Sequence, residues 1–360
     1  MKKDSPLVSI IVYNYNYGKY LDECLKSIFS QTYNNIEVLF SDNASTDDSW
    51  EKALNWQKKY PSKMFVARNR LNFGTDANLN NCAVNRRGVY HLVVGSDDVI
   101  SIDLVQTCVD LMELHPHAGY CMFHRNIIDQ DGKLTEEAPF YNKNCIVFPP
   151  GQSLVYTVAA INPTISQVFY RTLVSDACSP PLGVYGAGNY ITRILDFNIS
   201  LDHPVIYLKD TFVNHRIHGK NQSLSASESL DEVLGQIQVS YLFLSKLRIK
   251  NFDNDLIKLY ENKVNAQFGG LALRYCKREI LKENDLLAKK YLHLAVAFSP
   301  EYTDFNEWKL LSRYFEDKKN TKKDVDAYLS ANNNYQRIIS YDPPKDFYEE
   351  IKLKNDYKDS

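Results

Sequence analysis

The sequence predicts an α/β protein with a mostly parallel, twisted sheet and flanking helices, followed by an all-α region. Apolar, β-rich runs such as VSIIVY (8–13) alternate with helical patterns up to about residue 130. Alternation of strand and helix indicates parallel strands with helices on both faces. The pattern is irregular over 135–222 and helical from about residue 224.

Each predicted strand is a short apolar run, as expected for strands buried on both faces. The strands of the first part are VSIIVY (8–13), IEVLFSD (36–42), MFVAR (64–68), YHLVVG (90–95) and GYCMFH (119–124). Helices are predicted between them at 20–31, from the cap candidates Ser45, Thr46 and Asp47 to about Lys59, at 76–85 and at 102–114.

The rest of the chain divides less sharply. SQVFYRTLV (166–174) reads as a strand passing into a helix, NYITRILDF (189–197) as a helix and VIYLKDTFVNHRIH (205–218) as extended chain. NDLLAKKYLHLAVAFSP (284–300) has the small and large residue spacing of a tetratricopeptide helix, but a plain helical bundle is equally compatible with one such segment. The predicted organisation is a sheet domain over 1–223, a helical region over 224–345 and a disordered tail over 346–360.

Composition excludes several classes of function. The chain has 360 residues and a formal net charge of −2 without a long run of one sign, so we expect no nucleic-acid partner. Its seven cysteines are scattered and lack a CxxC pair, which indicates a reducing compartment. Since no stretch has the roughly 20 apolar residues of a spanning helix, we expect a cytoplasmic protein that can still rest on a membrane.

Polar residues follow three of the predicted strands. Asn14-Tyr15-Asn16 follows the first, Asp42-Asn43 ends the second, and Asp97-Asp98 follows the fourth. Asn and Asp also favour turns, so each cluster alone is weak. In open parallel sheets, however, ligands bind beyond the carboxyl ends of the strands. The three clusters together predict one binding crevice.

Two nucleotide-binding classes fit this crevice poorly. A nucleotidyltransferase would need a glycine-rich phosphate loop with a basic residue after the first strand, and NYNYGKY has a single glycine. A Rossmann oxidoreductase would need GxGxxG after a strand, and the sequence has none.

Residues 6–223 resemble the family 2 glycosyltransferases of the GT-A fold. The resemblance begins with VSIIVYNYNYGKYLDECLKSIFSQTYNNIEVLFSDNASTD and continues through Asn72-x-Gly74, Asn78, GSDD and HRIHGKNQS (215–223). The C-terminal helices lie outside it. This combination of motifs is specific, whereas an Asp-Asp pair alone is not.

The resemblance implies transfer of a sugar, with inversion, from a nucleotide-diphosphate donor to a hydroxyl of a glycan or lipid-linked glycan. We take a UDP-sugar as the default donor and bacterial surface polysaccharide synthesis as the setting. The leaving diphosphate gains charge, which Mn²⁺ or Mg²⁺ neutralises. The alternative is a non-catalytic or weakly active nucleotide-sugar-binding protein with a partner-binding helical tail. The apolar faces of the helices after 224 also allow a homodimer.

The resemblance also implies roles for the acidic residues and for the late Arg-x-His motif. Asp98 and His218 would hold the metal, Asp97 would bind the ribose hydroxyls, and Arg216 would be a cationic partner of the diphosphate. Many family members have a further Asp where this chain has Gly95, so the metal site has fewer expected ligands. The other histidines receive no role from this comparison.

The remaining donor contacts are expected at the ends of the first three strands. Asp42 would accept a hydrogen bond from the base, and Tyr13 or Tyr15 would flank its ring. Asn72 and Asn78 complete the predicted nucleotide-sugar site. Tyr13 departs from the family, which usually has Pro or Thr there.

The general base is the main departure. Inversion needs a carboxylate that takes the proton of the acceptor hydroxyl. The family has an acidic pair where this chain has Gly188-Asn189, within GVYGAGNYITRIL. Asp196 and Asp176 are the substitutes considered. Asp196 lies seven residues past Asn189, on the same helix face but about 10 Å along the axis. A different alignment of this stretch, or a protein that binds donor without transfer, would also account for the missing acid.

Overall fold

The structure is a computed structural model that describes residues 5–158, 163–179, 191–218, 230–331 and 340–353. The described residues fall into two compact units. The first is bounded as Met1–Ser153, Asn162–His218 and Arg337–Ser360, and the second as Leu154–Ile161 and Gly219–Gln336. Among the helices in the described ranges, none combines the length and the apolar composition that crossing a membrane requires.

The first unit is built on one mixed sheet, of which eleven strands lie in the described residues. They are β1 (Val8–Asn14), β2 (Ile36–Asp42), β3 (Met64–Arg68), β4 (Tyr90–Gly95), β5 (Val99–Ile100), β6 (Tyr120–Ile128), β7 (Leu134–Thr135), β8 (Cys145–Val147), β9 (Val168–Arg171), β10 (Val205–Arg216) and β11 (Tyr348–Glu350). The order is β11-β8-β10-β6-β9-β4-β1-β2-β3, with β5 beside β10 and β7 beside β6.

The parallel part of the sheet places the predicted polar clusters side by side. β1 runs parallel to both β2 and β4. Its register pairs Asn14 with Asp42 on one side and Tyr13 with Gly95 on the other. The ends of three neighbouring strands therefore meet at one edge, as the sequence predicted.

Helices cover both faces of this sheet. In chain order, the helices up to residue 202 are α1 (Gly18–Phe29), α2 (Ser49–Lys59), α3 (Thr75–Ala83), α4 (Leu104–Leu114), α5 (Gly151–Val158), α6 (Thr172–Cys178) and α7 (Ile191–Asp202), of which α5 belongs to the second unit from Leu154 onward. Ile10 and Val12 of β1 share a core with α1, α2 and α4, while Ile11 packs with Cys82 of α3 on the other face. Burial on both faces explains why β1 reads as a continuous apolar run. The predicted α/β architecture is confirmed.

The prediction of a disordered tail over 346–360 is wrong for residues 346–353. Tyr348–Glu350 pairs antiparallel with β8, and Ile351 and Leu353 pack against the main core. The Ile351 N–H donates to the Asn144 carbonyl at 2.9 Å. Main-chain pairing orders this charged segment, and composition does not reveal such pairing. Residues 354–360 and the predicted 223/224 boundary lie outside the described residues.

The second unit is helical, as expected. Its described helices after residue 230 are α8 (Asp231–Ile249), α9 (Asn254–Leu281), α10 (Asp285–Phe298), α11 (Asn306–Glu316) and α12 (Lys318–Ala331). α9 and α10 form a hairpin in which Asn284 caps α10 by accepting from the Leu287 N–H. Of the residues with small and large spacing on α10, Phe298 is partly buried and the others are buried: Ala288, Tyr291, Leu292 and Ala295.

Candidate active site

The Asp97-Asp98 pair lies in the turn that follows β4. The Asp98 N–H donates to the Gly95 carbonyl at 3.0 Å, which closes the turn. Both side chains are buried, with 6% and 2% of their residue surfaces exposed. A Cβ on Gly95 would lie 3.0 Å from an oxygen of each carboxylate. The glycine that replaces the family's additional acid therefore lets the two carboxylates approach β4 closely.

Three groups orient the Asp98 carboxylate. Oδ1 lies 2.9 Å from His215 Nδ1 and accepts from the Arg216 N–H at 3.1 Å. Oδ2 accepts from Ser166 Oγ at 2.5 Å, and Ser166 Oγ itself accepts from the Gly95 N–H at 2.9 Å. The carboxylate is thus held between the end of β10 and the 3₁₀ turn before β9.

The surroundings of Asp97 disfavour its negative charge. Burial, followed by repulsion from Asp98, raises its pKa to about 7. The same two carboxylates act on nearby tyrosines, because burial and then Asp97 and Asp98 raise the pKa of Tyr13 and bring that of Tyr17 to about 12. Like charges held this close in a desolvated site favour the neutral form of one of them. A cation placed between them would reverse that preference.

His218 is held beside Asp97 by aromatic rings of α1 and its N-cap. Its ring stacks on Tyr20 and meets Tyr17 edge-on, with centroids 5.1 Å apart in both cases. Nε2 lies 3.1 Å from Asp97 Oδ2. The packing fixes the imidazole orientation, so His218 and the acidic pair form one cluster.

Arg216 faces the protein and not the crevice. It is 1% exposed, and its guanidinium lies 4.8 Å over the Tyr20 ring. Nε donates to the Asp97 carbonyl at 3.0 Å, Nη1 to the Asp129 carbonyl at 3.0 Å, and Nη2 to Glu23 Oε2 at 2.6 Å. This arrangement does not match the predicted diphosphate contact. Through its hydrogen bond to the Asp97 carbonyl, Arg216 fixes the main chain at Asp97.

Asp42 is also committed to the protein. Oδ1 accepts from Asn14 Nδ2 at 3.0 Å and from Ser45 Oγ at 2.5 Å. Oδ2 accepts from the Ser45 N–H at 2.9 Å and lies 3.2 Å from Arg68 Nε. Four donors fill the capacity of a carboxylate that is 0% exposed. In this arrangement Asp42 has no site left for the base N–H that it was predicted to bind.

Asn78 and Asn72 likewise hold loops together. Asn78 is 1% exposed, donates to the Asn14 and Ser41 carbonyls, and accepts from Ser41 Oγ and Asn69 Nδ2. Asn72 Oδ1 accepts from Asn43 Nδ2 and the Gly74 N–H. Both belong to a network of asparagines that shapes the rim near β2 and β3.

The two candidate base-flanking tyrosines differ in position. Tyr13 is partly buried at the end of β1, close enough to Asp97 and Asp98 for their charges to raise its pKa. Tyr15 is 42% exposed. Tyr13 therefore lies in the crevice beside the acidic pair, and Tyr15 lies on its rim.

The acidic cluster suits a divalent cation by its chemistry. Within the part of the chain that the structure describes, no three ligands are already arranged around one point. Even so, Asp98, Asp97 Oδ2 and His218 Nε2 offer two carboxylates and an imidazole, donors that Mn²⁺ or Mg²⁺ accepts together with phosphate oxygens. Burial and the charge of Asp98 raise the pKa of Asp97 even though His215 and Arg216 act to lower it, so an added cation would favour its charged form. Asp98 and His218 would hold such an ion.

The structure places each substitute for the missing general base among other partners. Asp196, on α7, is fully buried, and its Oδ1 accepts from Tyr170 Oη at 2.6 Å. Tyr170 stacks on His91, four residues and about 13 Å before the Gly95 end of β4. Asp176 forms an ion pair with Arg86 on the surface. Neither acid lies with the Asp97-Asp98 pair, and Gly188-Asn189 lie outside the described residues.

Five residues of the cluster were not predicted from the sequence: Tyr17, Tyr20, Glu23, Ser166 and His215. Tyr17, Tyr20 and Glu23 recur every three residues, a spacing that places them on one side of α1, and that pattern could have found them. His215 begins the motif HRIHGKNQS, which could have indicated it, whereas Ser166 carries no comparable local signal because it meets Asp98 through the folding of distant segments.

Residues 9–162 match the sequence profile of the family described as Glycosyl transferase family 2. These residues are a family 2 glycosyltransferase domain. The resemblance found from the motifs is therefore confirmed, and with it the prediction of a glycosyltransferase. The match includes β1 to β4 and the Asp97-Asp98 pair but ends before β10.

Two curated relatives show how far this domain extends. A glycosyltransferase of Nostoc sp., alr2836, is 25% identical over 239 residues, which are 62% of this chain and 69% of that protein. Chondroitin synthase of Escherichia coli is 26% identical over 256 residues, 69% of this chain. The aligned part is 34% of chondroitin synthase, so the chain corresponds to about a third of that protein.

Two solved structures share the fold. TarS of S. aureus in complex with UDP-GlcNAc has a TM-score of 0.55 at 18% identity, over 91% of each chain. The mannosyltransferase PcManGT of Pyrobaculum calidifontis, in complex with GDP-Man and Mn²⁺, has a TM-score of 0.51 at 16% identity, over 91% of this chain and 86% of that one. At these identities the likeness concerns the fold, and the predicted GT-A architecture is confirmed.

Proposed function

We propose that this glycosyltransferase moves a sugar, with inversion and with the help of a divalent cation, from a nucleotide-diphosphate donor to a hydroxyl of a glycan or glycolipid. A UDP-sugar is the proposed donor. The observation that carries this proposal is the buried pair Asp97 and Asp98 at the end of β4, in one cluster with His218. TarS and PcManGT, which share the fold, have nucleotide-sugar complexes, and that of PcManGT includes Mn²⁺.

The geometry of the cluster explains which step it would assist. Breaking the bond between sugar and phosphate leaves negative charge on the diphosphate, and a divalent ion bound there stabilises that charge as a Lewis acid. Asp98 and His218 would hold the ion, and Asp97, which lies 3.1 Å from His218 Nε2, would bind the ribose hydroxyls. His215 and Ser166 keep Asp98 in one orientation, so little reorganisation is needed when the donor binds.

The acceptor side rests on similarity alone. Chondroitin synthase is a polysaccharide synthase by name, and abequosyltransferase RfbV of Salmonella typhimurium is 37% identical over 109 residues. These names favour a glycan acceptor and a role in bacterial surface polysaccharide synthesis. Contact with a membrane surface and dimerisation through the helices after residue 224 stay predictions.

The test is a donor screen with a matched pair of variants. Nucleoside diphosphates and nucleotide sugars are added with and without Mn²⁺, and both thermal stabilisation and release of nucleoside diphosphate are measured. Asp98→Asn keeps the size of the side chain but removes its charge, and we expect turnover to fall about a thousandfold, the several kcal/mol that a Lewis acid supplies. Asp110→Asn, on the exposed face of α4, is the control and should retain wild-type turnover.

The outcomes separate the proposal from its alternative. Turnover that needs Mn²⁺ and Asp98 supports the transferase. Mn²⁺-dependent nucleotide binding without turnover on any acceptor would favour the nucleotide-sugar-binding protein, an outcome to which the absence of Asp196 and Asp176 from the cluster lends weight. Wild-type turnover in Asp98→Asn would refute the proposed role of the pair.

A further inference from the structure

We propose that Glu23 is a positioning residue for this reaction. Its carboxylate directs the Arg216 guanidinium toward α1 instead of toward the carboxylates of Asp97 and Asp98. The inference rests on the proposed function and deepens it, because it explains how the acidic pair stays available to a divalent ion. Four observations lead to it.

Arg216 is a cation without access to water. It is 1% exposed, and its side chain donates to acceptors on three separate segments. Two of these acceptors, Asp97 O and Asp129 O, are neutral carbonyls at 3.0 Å. The third, Glu23 Oε2 at 2.6 Å, is a carboxylate oxygen. Of these three contacts, the one to Glu23 is the one that balances the charge, and charge-assisted hydrogen bonds are about twice as strong as neutral ones.

α1 presents two contacts to Arg216 from one side. Tyr20 and Glu23 are three residues apart and therefore neighbours on the helix surface. The guanidinium lies 4.8 Å over the Tyr20 ring while Nη2 binds Glu23. The ring and the carboxylate together define the direction in which the guanidinium points.

The alternative direction for Arg216 is toward the acidic pair. Its main-chain N–H already binds Asp98 Oδ1 at 3.1 Å, and its Nε binds the Asp97 carbonyl at 3.0 Å. Both carboxylates are therefore within reach of a guanidinium that loses its anchor on α1. An arginine paired with them would compete directly with a divalent ion.

Glu23 is suited to act as an anchor because it lies at the edge of the cluster. Its side chain is 56% exposed, whereas that of Arg216 is 2% exposed. The exposed position means that Glu23 can be replaced without opening a cavity in the core. Its neighbour Asp22 has an equally exposed side chain on the same helix but contacts Trp56 and Lys52 instead, which makes it a matched control.

The experiment compares Glu23→Ala, Glu23→Gln and Asp22→Ala with the wild type. The first measurement is the Mn²⁺ concentration that gives half-maximal binding of UDP, by calorimetry and in the absence of any acceptor. We expect Glu23→Ala to raise this concentration about tenfold and to lower kcat/KM by a similar factor, a modest effect for a charged hydrogen bond because Glu23 is half exposed. Glu23→Gln keeps an oxygen for Nη2 but loses the charge, so it should recover only part of the difference. Asp22→Ala should match the wild type.

The second measurement is a crystal structure of the wild type and of Glu23→Ala. A guanidinium that has turned toward Asp97 or Asp98 in the variant supports the inference, and an unchanged Arg216 refutes it. A Glu23→Ala variant with the same Mn²⁺ requirement as Asp22→Ala also refutes it. If the wild type binds no nucleotide with Mn²⁺, the proposed function fails, and the pair of crystal structures still decides whether Glu23 orients Arg216.

Discussion

Two groups of carboxylates stand at the ends of strands that flank β1, and the protein treats them differently. Asp42, at the end of β2, receives three hydrogen bonds from Asn14 and Ser45, forms an ion pair with Arg68 and is fully buried. Asp97 and Asp98, after β4, lie close enough to repel each other, and that repulsion, together with burial, raises the pKa of Asp97 to about 7. Both groups lie at the crevice, but the contacts of Asp97 and Asp98 with His215 and His218 leave the pKa of Asp97 raised.

The difference separates an acid that supports the fold from acids that can bind a ligand. A carboxylate whose lone pairs are all filled by the protein gains stability from its charge. A carboxylate pair that shares one desolvated site loses stability unless a cation or a proton joins it. Asp42 therefore behaves as a structural residue of the loop after β2, and the Asp97-Asp98 pair as a site prepared for positive charge.

The largest expected effect is the loss of Asp42. Asp42→Ala removes an acceptor from Asn14 and from Ser45 and the ion-pair partner of the Arg68 guanidinium. Breaking a buried charge network of this kind costs about 3–5 kcal/mol in the free energy of unfolding. Urea denaturation should show this loss, while Asp48→Ala, whose carboxylate is exposed and pairs with Lys52, should stay within about 1 kcal/mol of the wild type.

A different result for Asp42→Ala would remove the distinction between Asp42 and the Asp97-Asp98 pair. If Asp42→Ala unfolds like the wild type but loses nucleotide binding, Asp42 exchanges its protein partners for the base of the donor, as the family resemblance implied. Calorimetric titration with UDP in the presence of Mn²⁺ distinguishes the two roles.

The second effect is the dependence of stability on pH through Asp97. In the folded protein its pKa is raised to about 7, whereas an unfolded Asp has a pKa near 3.9, so the folded state binds the proton more tightly. The favourable contribution is therefore present below about pH 4 and is lost as pH rises to about 7. At pH 8 in EDTA, Asp97→Asn should be more stable than the wild type by on the order of 2–4 kcal/mol.

Urea unfolding at pH 5 and pH 8 provides the measurement. The wild type should lose stability between the two values more steeply than Asp97→Asn does, and added Mn²⁺ at pH 8 should restore part of it. Parallel pH profiles for the two proteins would mean that Asp97 is already compensated within the protein, and the comparison with Asp42 would then fail.

A smaller effect is expected from Ser166. Its hydroxyl joins the Gly95 N–H to Asp98 Oδ2, so Ser166→Ala removes one of the groups that orient the metal carboxylate. A lost hydrogen bond to a charged group corresponds to about 1.5–3 kcal/mol, and we expect kcat/KM to fall about tenfold. Ser153→Ala, whose hydroxyl donates to the Pro150 carbonyl away from the cluster, is the control. Unchanged kcat/KM with unchanged Mn²⁺ affinity would show that His215 and Arg216 suffice to orient Asp98.

The fold and the place of the site were predictable because they depend on local patterns. Continuous apolar runs such as YHLVVG identified strands buried on both faces, and Asp97-Asp98 at the end of one of them marked the crevice. The strand Tyr348–Glu350 was missed because its short polar sequence has no apolar pattern, and its pairing with β8 depends on main-chain groups and on contacts with Lys143. Local pattern thus predicts elements with an apolar face and misses elements that are ordered by their neighbours.

The roles within the site were harder to predict because they depend on partners far apart in the chain. Asp42 looked like a base-binding residue until Arg68 and Ser45 were seen to fill its oxygens. Arg216 looked like a phosphate ligand, but its guanidinium binds Glu23, 193 positions away. The identity of a side chain predicts which ligands it can bind, whereas its hydrogen-bond partners within the protein decide whether it is available to bind them.

The smallest expected effect concerns Asp47, an acid on the same loop as Asp42 but on the surface. Its Oδ1 accepts from the Ser49 N–H at 3.0 Å and its Oδ2 from the Gly18 N–H at 2.9 Å, so it joins the starts of α2 and α1. Although burial opposes the shift, these hydrogen bonds lower its pKa, and its contribution is therefore lost only as pH falls through that lowered value. Asp47→Ala should cost about 1 kcal/mol at pH 7, the usual value of a helix-capping side chain, and Asp47→Asn less. Urea unfolding at pH 7 measures the cost.

Nucleotide binding with Mn²⁺ should be unchanged in Asp47→Ala, because Asp47 has main-chain partners instead of a paired acid. Weakened binding would mean that the ligand site includes this loop as well as the Asp97-Asp98 pair.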